Sequence, residues 1–412
     1  MIVRRGRLPD APHTEFRPVK GTLAMEEIHG SYGFSGAWSR KLHVRGYPTE
    51  QARPPKRAAF SLAAKPAPAA PLQPFHVPTA RIPYGGDAMR GRVTLFVGPN
   101  MACGVVKPTR SMRPGEFFRN GERHELWFVQ EGAGVLASEY GELPFRKGHY
   151  LCVPKGTTYR VELASPKAFF LLVESRWPVV FPARYMNPSG QASLSSPVVE
   201  TQAAAPDLKA PVDETGRYPV FIKHDGGRVT EFTLARHPFD LVGWEGALYP
   251  FAFHIDDHHG VAKATHAAPP MHQTFESGTA PSHGFSVCSF VPQPEGWHPR
   301  DVPAPYAHYN VDSDELMFFS NAHYGARKGF IADGSLTYHP ASLPHGPQGR
   351  AAELSLAERG KMSKRLAVMV DTFFEPLAAT AAAWRWRDKG YSLSWHKAER
   401  RAAREEDSVY GT

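Results

Sequence analysis

The sequence predicts an all-β protein built from two antiparallel β-barrel (jelly-roll) domains with a few peripheral helices. Three observations lead there. Short runs rich in β-branched and aromatic residues alternate with Gly and Pro turns, two Pro/Ala/Ser-rich stretches divide the chain, and residue spacings repeat between its halves. A length of 412 residues exceeds one ordinary domain and leaves room for two buried cores.

Residues 1–75 are expected to form an N-terminal extension that ends in a linker, RPPKRAAFSLAAKPAPAAPLQPF at 53–75. Residues 76–186 carry RVTLFVG, HELWFVQEG, HYLCVP, TYRVEL and AFFLLVES, the strands of a first barrel. A second linker spans 187–216, and residues 217–376 repeat the texture with ALYPFAF, FSVCSFVP, DELMFFSN, SLTYHP and LAVMVDTF, a second barrel. A C-terminal tail fills 377–412. Helical signals are confined to AAELSLAERGKMSKR at 351–365 and the Ala-rich stretch at 378–386, which is expected to cap the sheets or join a subunit contact.

The repeat is the most informative of these features. Asn120 and Glu125 match Asn310 and Glu315 at one separation, and Gly148, Pro154 and Tyr159 match Gly334, Pro340 and His345 at two more. Turn glycines and strand-edge prolines recur in this way at equivalent corners of duplicated barrels.

Composition narrows the function. Hydrophobic residues at 42% and charged residues at 21% describe a globular chain. The net charge of +8 comes from 48 basic against 40 acidic residues without a dense basic cluster among aromatics, which argues against nucleic acid. Cys103, Cys152 and Cys288 are too few and scattered for a disulfide framework or a CxxC clip. With no h-region after MIVRRGRLPD and no apolar run near the roughly 20 residues of a membrane span, a cytoplasmic protein is expected.

In the second barrel HYNVDSDE places His308 seven residues before Glu315, and His345 follows thirty residues later. Two imidazoles and one carboxylate form an N,N,O set that leaves positions open for substrate and O2, which suits Fe(II); zinc more often recruits Cys or a third His. In the first barrel the corresponding positions are Phe118, Glu125 and Tyr159, so that copy is expected to have lost the metal. Among twenty histidines a single one is more often a surface or hydrogen-bonded residue than a ligand. Three ligand types at barrel-equivalent positions reverse that weighting.

PYAHYNVDSDE, PHGP and PPMHQTF together resemble the homogentisate 1,2-dioxygenase family, iron-dependent bicupins of tyrosine and phenylalanine catabolism. EEIHGSYGFSGAWSRKLHVRGYPTE and VGWEGALYPFAF are similar to its atypical bacterial branch. The resemblance implies one Fe(II) per chain, held by His308, Glu315 and His345, with O2 as co-substrate. It implies that His272 in PPMHQTF takes a proton from a substrate hydroxyl, after which both oxygens enter the ring and homogentisate opens to maleylacetoacetate. It also implies substrate contacts from Tyr324 and Arg327 in AHYGARKG and from Tyr306, with His339 as a partner behind the ligands, and a homo-oligomer, trimer or hexamer.

Tyr306 equally fits a strand edge beside Pro305, and His339 a structural histidine. Arg327 stands where the family usually has lysine; its fork grips a carboxylate through two hydrogen bonds, so gentisate or another hydroquinone carboxylate stays open as substrate. His308 and Glu315 are one residue further apart than in the animal members. HIDDHHG at 254–260 could pass for a second metal site but is expected to be a solvated loop, since successive residues of an extended chain face opposite ways. A non-enzymatic storage or regulatory bicupin, and a sugar isomerase using Zn or Mn, are the competing readings.

Overall fold

The structure, a computed structural model, describes residues 2–46, 58–68, 71–189, 191–193, 196–199, 202–260, 273–278, 284–295, 298–323, 331–347 and 350–394. Four β-sheets dominate it, and the fold is the expected all-β bicupin with short helices at its edges. No helix among the described residues is long and apolar enough to cross a membrane.

A middle sheet takes the order Phe251–His254, His149–Val153, His124–Glu131, Phe169–Ser175, Met101–Val106, Arg92–Val97, Ala378–Ala379. Its central strand, FFLLVES, is buried at all seven positions. A strand with one wet face would alternate; this one is covered twice, which is why it reads as a continuous apolar run. One face meets an outer sheet around Phe118, Trp127, Leu136, Phe145, Tyr159, Phe170 and Phe221, the interior of the first barrel. Its other face, with Phe128, Tyr150 and Leu171, packs on the sheet of the second barrel through Phe275, Phe318 and Val368. Tyr150 meets Phe275 edge-on with ring centroids 5.2 Å apart.

The second-barrel sheet runs Val179–Val180, Gln273–Ser277, Gly284–Phe290, Ala367–Phe373, Glu315–Phe319, Ser335–His339, Phe75–Pro78. The halves therefore exchange edge strands. Phe75–Pro78 and Val179–Val180, from the first half, extend the second sheet, and Ala378–Ala379 from the tail extends the middle one.

The same exchange moves the expected boundary at 217. Thr215–His224 runs parallel to Phe117–Asn120 and pairs with Arg228–Arg236, so both complete the outer sheet of the first barrel. Phe251–His254 pairs with His149–Val153 in the middle sheet. Residues 1–46 are likewise more than an extension: Val3–Gly6, Trp38–His43 and Met25–Gly30 form a four-stranded sheet with Leu241–Gly246. Strand texture alone carries no address for a strand's partner, which is why the sequence misplaced these segments.

The expected helix at 351–365 is shorter, covering Ala351–Ser355 with a 3-10 turn at Leu356–Glu358. Arg359 is already extended, and Gly360, at φ +71°, forms the left-handed corner of a turn closed by the Lys361 N–H to the Glu358 carbonyl. In the Ala-rich stretch Thr380 accepts a hydrogen bond from the Ala383 N–H and starts the helix Ala381–Trp386. Trp384 then lies edge-on against Phe75, 4.8 Å between centroids, and caps the sheet edge.

Two buried charge networks tie these layers together. Inside the first barrel Arg92 donates to Glu125 Oε1 at 2.5 Å and to the Tyr159 hydroxyl at 2.7 Å, while its guanidinium lies 4.4 Å from the Phe118 ring centroid. Between the N-terminal sheet and the first barrel, Lys41 bridges Glu27 and Glu139 at 2.5 and 2.9 Å. Beside it His43 hydrogen-bonds Asp240 at 2.7 Å and Glu27 at 2.9 Å. Burial by itself lowers the His43 imidazole, but these two carboxylates outweigh burial and push it up to about 9.

Removing one partner of a buried ion pair strands the other, so Arg92→Met is expected to cost on the order of 3 to 5 kcal/mol in denaturant unfolding. Adding Glu125→Gln should recover part of that loss; a stable single variant would refute the network's weight. For His43 the folded value lies above the ordinary one of about 6.5, so its stabilisation is complete below that pH and fades as pH climbs toward 9. A decline on the order of 3 kcal/mol is expected between pH 6 and 10, and melting curves of His43→Gln should lack it.

Candidate metal centre

Glu315 opens the strand Glu315–Phe319 in the middle of the second-barrel sheet, 7% exposed. His339 stands directly opposite it on one neighbouring strand and Asp371 on the other. Side chains directly opposite in an antiparallel pair share a face, so all three look away from the inter-barrel core. One row deeper on that face lie Met317, Met369 and Cys288, an apolar floor under the carboxylate.

Opposite this sheet, His308 and His345 form a two-residue antiparallel bridge and exchange N–H to carbonyl hydrogen bonds of 2.9 Å each. Each ring is fixed the same way. His308 Nδ1 lies 3.2 Å from the Tyr306 carbonyl, and His345 Nδ1 lies 3.2 Å from the Leu343 carbonyl. A carbonyl can only accept, so each Nδ1 is the donor there, and Nε2, on giving up the proton it shares with Glu315, is the nitrogen each ring can offer a metal. Both Nε2 atoms face the same oxygen, Glu315 Oε2, at 3.8 and 3.3 Å.

The candidate ligand atoms of His308, Glu315 and His345 lie within 4.8 Å of one another, and among the described residues they are the group of this kind. The remaining oxygen of Glu315 takes a 2.6 Å hydrogen bond from His339 Nδ1. Burial works against the Glu315 anion, but the three imidazoles overcome it and hold the carboxyl well below the usual range. A pre-ionised carboxylate and two imidazoles with Nε2 exposed to it fit a first-row dication such as Fe(II). Asp371 differs: burial, and then the like charge of Glu315, push its carboxyl well above the ordinary range.

The loop before His345 repeats its first-barrel counterpart bond for bond. Ser342 N–H donates to the Asn310 carbonyl at 2.8 Å, as Gly156 N–H donates to Asn120 at 2.8 Å. Gly156 sits at φ +89° and Ser342 at φ +65°, so the second copy places a residue with a Cβ in the left-handed region next to the site. In the first copy Phe118 pairs with Tyr159 where His308 pairs with His345, and Arg92 takes the contact with the shared glutamate.

Of the other expected site residues, His339 is assembled with the trio, stacking on His345 at 4.1 Å between centroids. Tyr306 contributes its carbonyl, while its ring, 53% exposed, stands edge-on to His308 with centroids 6.0 Å apart. His272, Tyr324 and Arg327 lie outside the described residues. The His/Asp-rich segment is solvated only in part: Asp256 and His259 are exposed, but His254 and His258 are buried, and His254 Nε2 lies 3.0 Å from the Lys147 carbonyl and 2.9 Å from Arg146. Asp371 and Tyr391, whose hydroxyl lies 3.4 Å from His339 Nε2, were not anticipated. The matching Glu174 of the first copy also faces its glutamate, but the repeat hides this because the separations differ, 125 to 174 against 315 to 371.

The chain is 32% identical over 401 residues to a Saccharolobus solfataricus protein provisionally named a dioxygenase, covering 95% of this chain and 98% of that one. Homogentisate 1,2-dioxygenase of Bradyrhizobium diazoefficiens is 27% identical over 317 residues, covering 73% and 67% respectively. The enzyme of that name from Nitrobacter hamburgensis is 27% identical over 315 residues with the same coverage. A model of the N-terminal domain of homogentisate 1,2-dioxygenase matches residues 88–255, and one of its C-terminal domain matches 259–402. With two such matches spanning both barrels, and a relative that aligns along nearly its whole length, the chain belongs to the homogentisate 1,2-dioxygenase family.

Proposed function

We propose that the protein is an Fe(II)-dependent ring-cleaving dioxygenase that converts homogentisate and O2 to maleylacetoacetate, in the cytoplasm, as a step of tyrosine and phenylalanine catabolism. The observation that carries the proposal is the convergence of two Nδ1-anchored imidazoles on one ionised carboxylate, in a chain of this family. His308, Glu315 and His345 hold the iron, which supplies the one-electron chemistry that lets O2 react with an aromatic ring.

The remaining work falls to side chains. His339 holds the second oxygen of Glu315 and so fixes the carboxylate plane. His272 accepts the proton of a substrate hydroxyl, leaving an electron-rich phenolate ring. Tyr324 and Arg327 bind the substrate carboxylate, the guanidinium through two parallel hydrogen bonds, and Tyr306 offers its exposed ring beside His308. Orientation and proton removal are thus supplied by residues, and both oxygen atoms of O2 leave in the product. Because Arg327 replaces the family's usual lysine, a related hydroquinone carboxylate such as gentisate is the second reading.

With ferrous iron and ascorbate, an oxygen electrode should record uptake on addition of homogentisate, and His272→Ala should lower kcat by about 10²- to 10⁴-fold. Uptake with gentisate but not homogentisate would move the substrate to that relative. A protein that consumes O2 with neither, carries no metal and keeps its melting temperature after chelation would be a non-enzymatic bicupin.

A further inference from the structure

Each barrel carries two acidic side chains directly opposite one another on its inner face. Glu125 faces Glu174 in the first, and Glu315 faces Asp371 in the second. Like charges placed so are destabilising unless a cation lies between them. The first barrel has that cation: Arg92 Nη1 lies 2.5 Å from Glu125 and 3.6 Å from Glu174. Lys223 adds an ion pair to Glu174 at 2.6 Å, and the Asn120 amide donates to both carboxylates at 2.8 and 2.7 Å.

In the second barrel the three imidazoles crowd Glu315, and only the charge of His308 also reaches Asp371. Asp371 is half-buried and, among the described residues, makes neither a hydrogen bond nor an ion pair through its side chain. It stands outside the group of atoms that lie within 4.8 Å of one another. The acidic pair has been kept, while among the described residues no guanidinium bridges it as Arg92 does in the first barrel.

We propose that Asp371 is a positioning residue for the metal: from directly opposite Glu315 it hydrogen-bonds a water bound there and so fixes that water's place. This rests on His308, Glu315 and His345 being the ligands. Asp371 acts through a water rather than as a fourth ligand, because its oxygens fall outside the ligand cluster. Groups that act on a metal in this way typically change its affinity 10- to 100-fold.

Calorimetric titration of the full-length apoprotein with Co(II), together with the visible absorption of the bound ion, tests the assignment. Asp371→Asn is expected to weaken Co(II) binding about 10- to 100-fold and to shift the absorption band, while its apoprotein melts no lower than wild type. Asp371→Glu should restore most of the affinity. Glu315→Gln and His345→Ala should lose binding. Wild-type affinity in Asp371→Asn, with binding lost in Glu315→Gln, would overturn the role of Asp371 alone. Undiminished binding in Glu315→Gln, or none in wild type, would overturn the ligand assignment and this proposal with it. An apo Asp371→Asn that no longer melts cooperatively would make the residue a folding element and also overturn it.

Discussion

A carboxylate buried on the inner face of a β-barrel demands a cation, and the two barrels of this chain answer the demand differently. Glu125 is met by Arg92, reaching across from the strand Arg92–Val97, three places away in the same sheet. Glu315 is met by imidazole nitrogens, which can exchange a proton for a metal. An ion pair satisfied within the chain is closed, since the guanidinium has no site to give a ligand and no electron to exchange. A carboxylate surrounded by Nε2 atoms is open to an exogenous dication. The same backbone therefore yields a closed ion pair in one copy and a candidate metal centre in the other.

Precision at that centre depends on how little the sheet beneath it can move. The second-barrel sheet rests on the middle sheet through an interface of aromatic rings, including Phe128 against Phe318 and Tyr150 against Phe275. The middle sheet is in turn gripped from its other side by the first barrel. Edge strands exchanged between the halves add main-chain hydrogen bonds across the same boundary. Displacing Glu315 thus means disturbing a layer packed at interior density, a support that the first barrel provides whether or not it binds anything itself.

The repeat, the all-β texture and the three ligand candidates were legible in the sequence because each depends on residue type at a fixed local spacing. Turn-bounded strands also survived intact, down to the positive φ of Gly148 and Gly334. What escaped were features created by long-range pairing. Arg92 lies 33 residues from Glu125 along the chain, and the strand it occupies contains nothing to mark its side chain as an internal cation. Residues 215–254 read as second-barrel strands because apolar alternation is the same whichever sheet receives it. Asp371 was hidden because the loops between the paired strands differ in length, so its partner Glu174 could not be aligned by counting.

Ser342 shows how the second copy has been altered without changing its frame. At the corresponding turn the first barrel uses Gly156, for which a positive φ is free, whereas a serine there costs on the order of 1 kcal/mol. The turn is nonetheless held, by the same hydrogen bond to the paired asparagine carbonyl. That bond sets the register of the His308–His345 bridge, and the bridge sets where both rings point. Backbone strain three residues from a candidate ligand is tolerated because the paired hydrogen bonds on either side over-determine the geometry. Closed ion pair and candidate metal centre therefore differ in side chains carried on one shared frame, Phe118 and Tyr159 against His308 and His345, with Arg92 completing the ion pair.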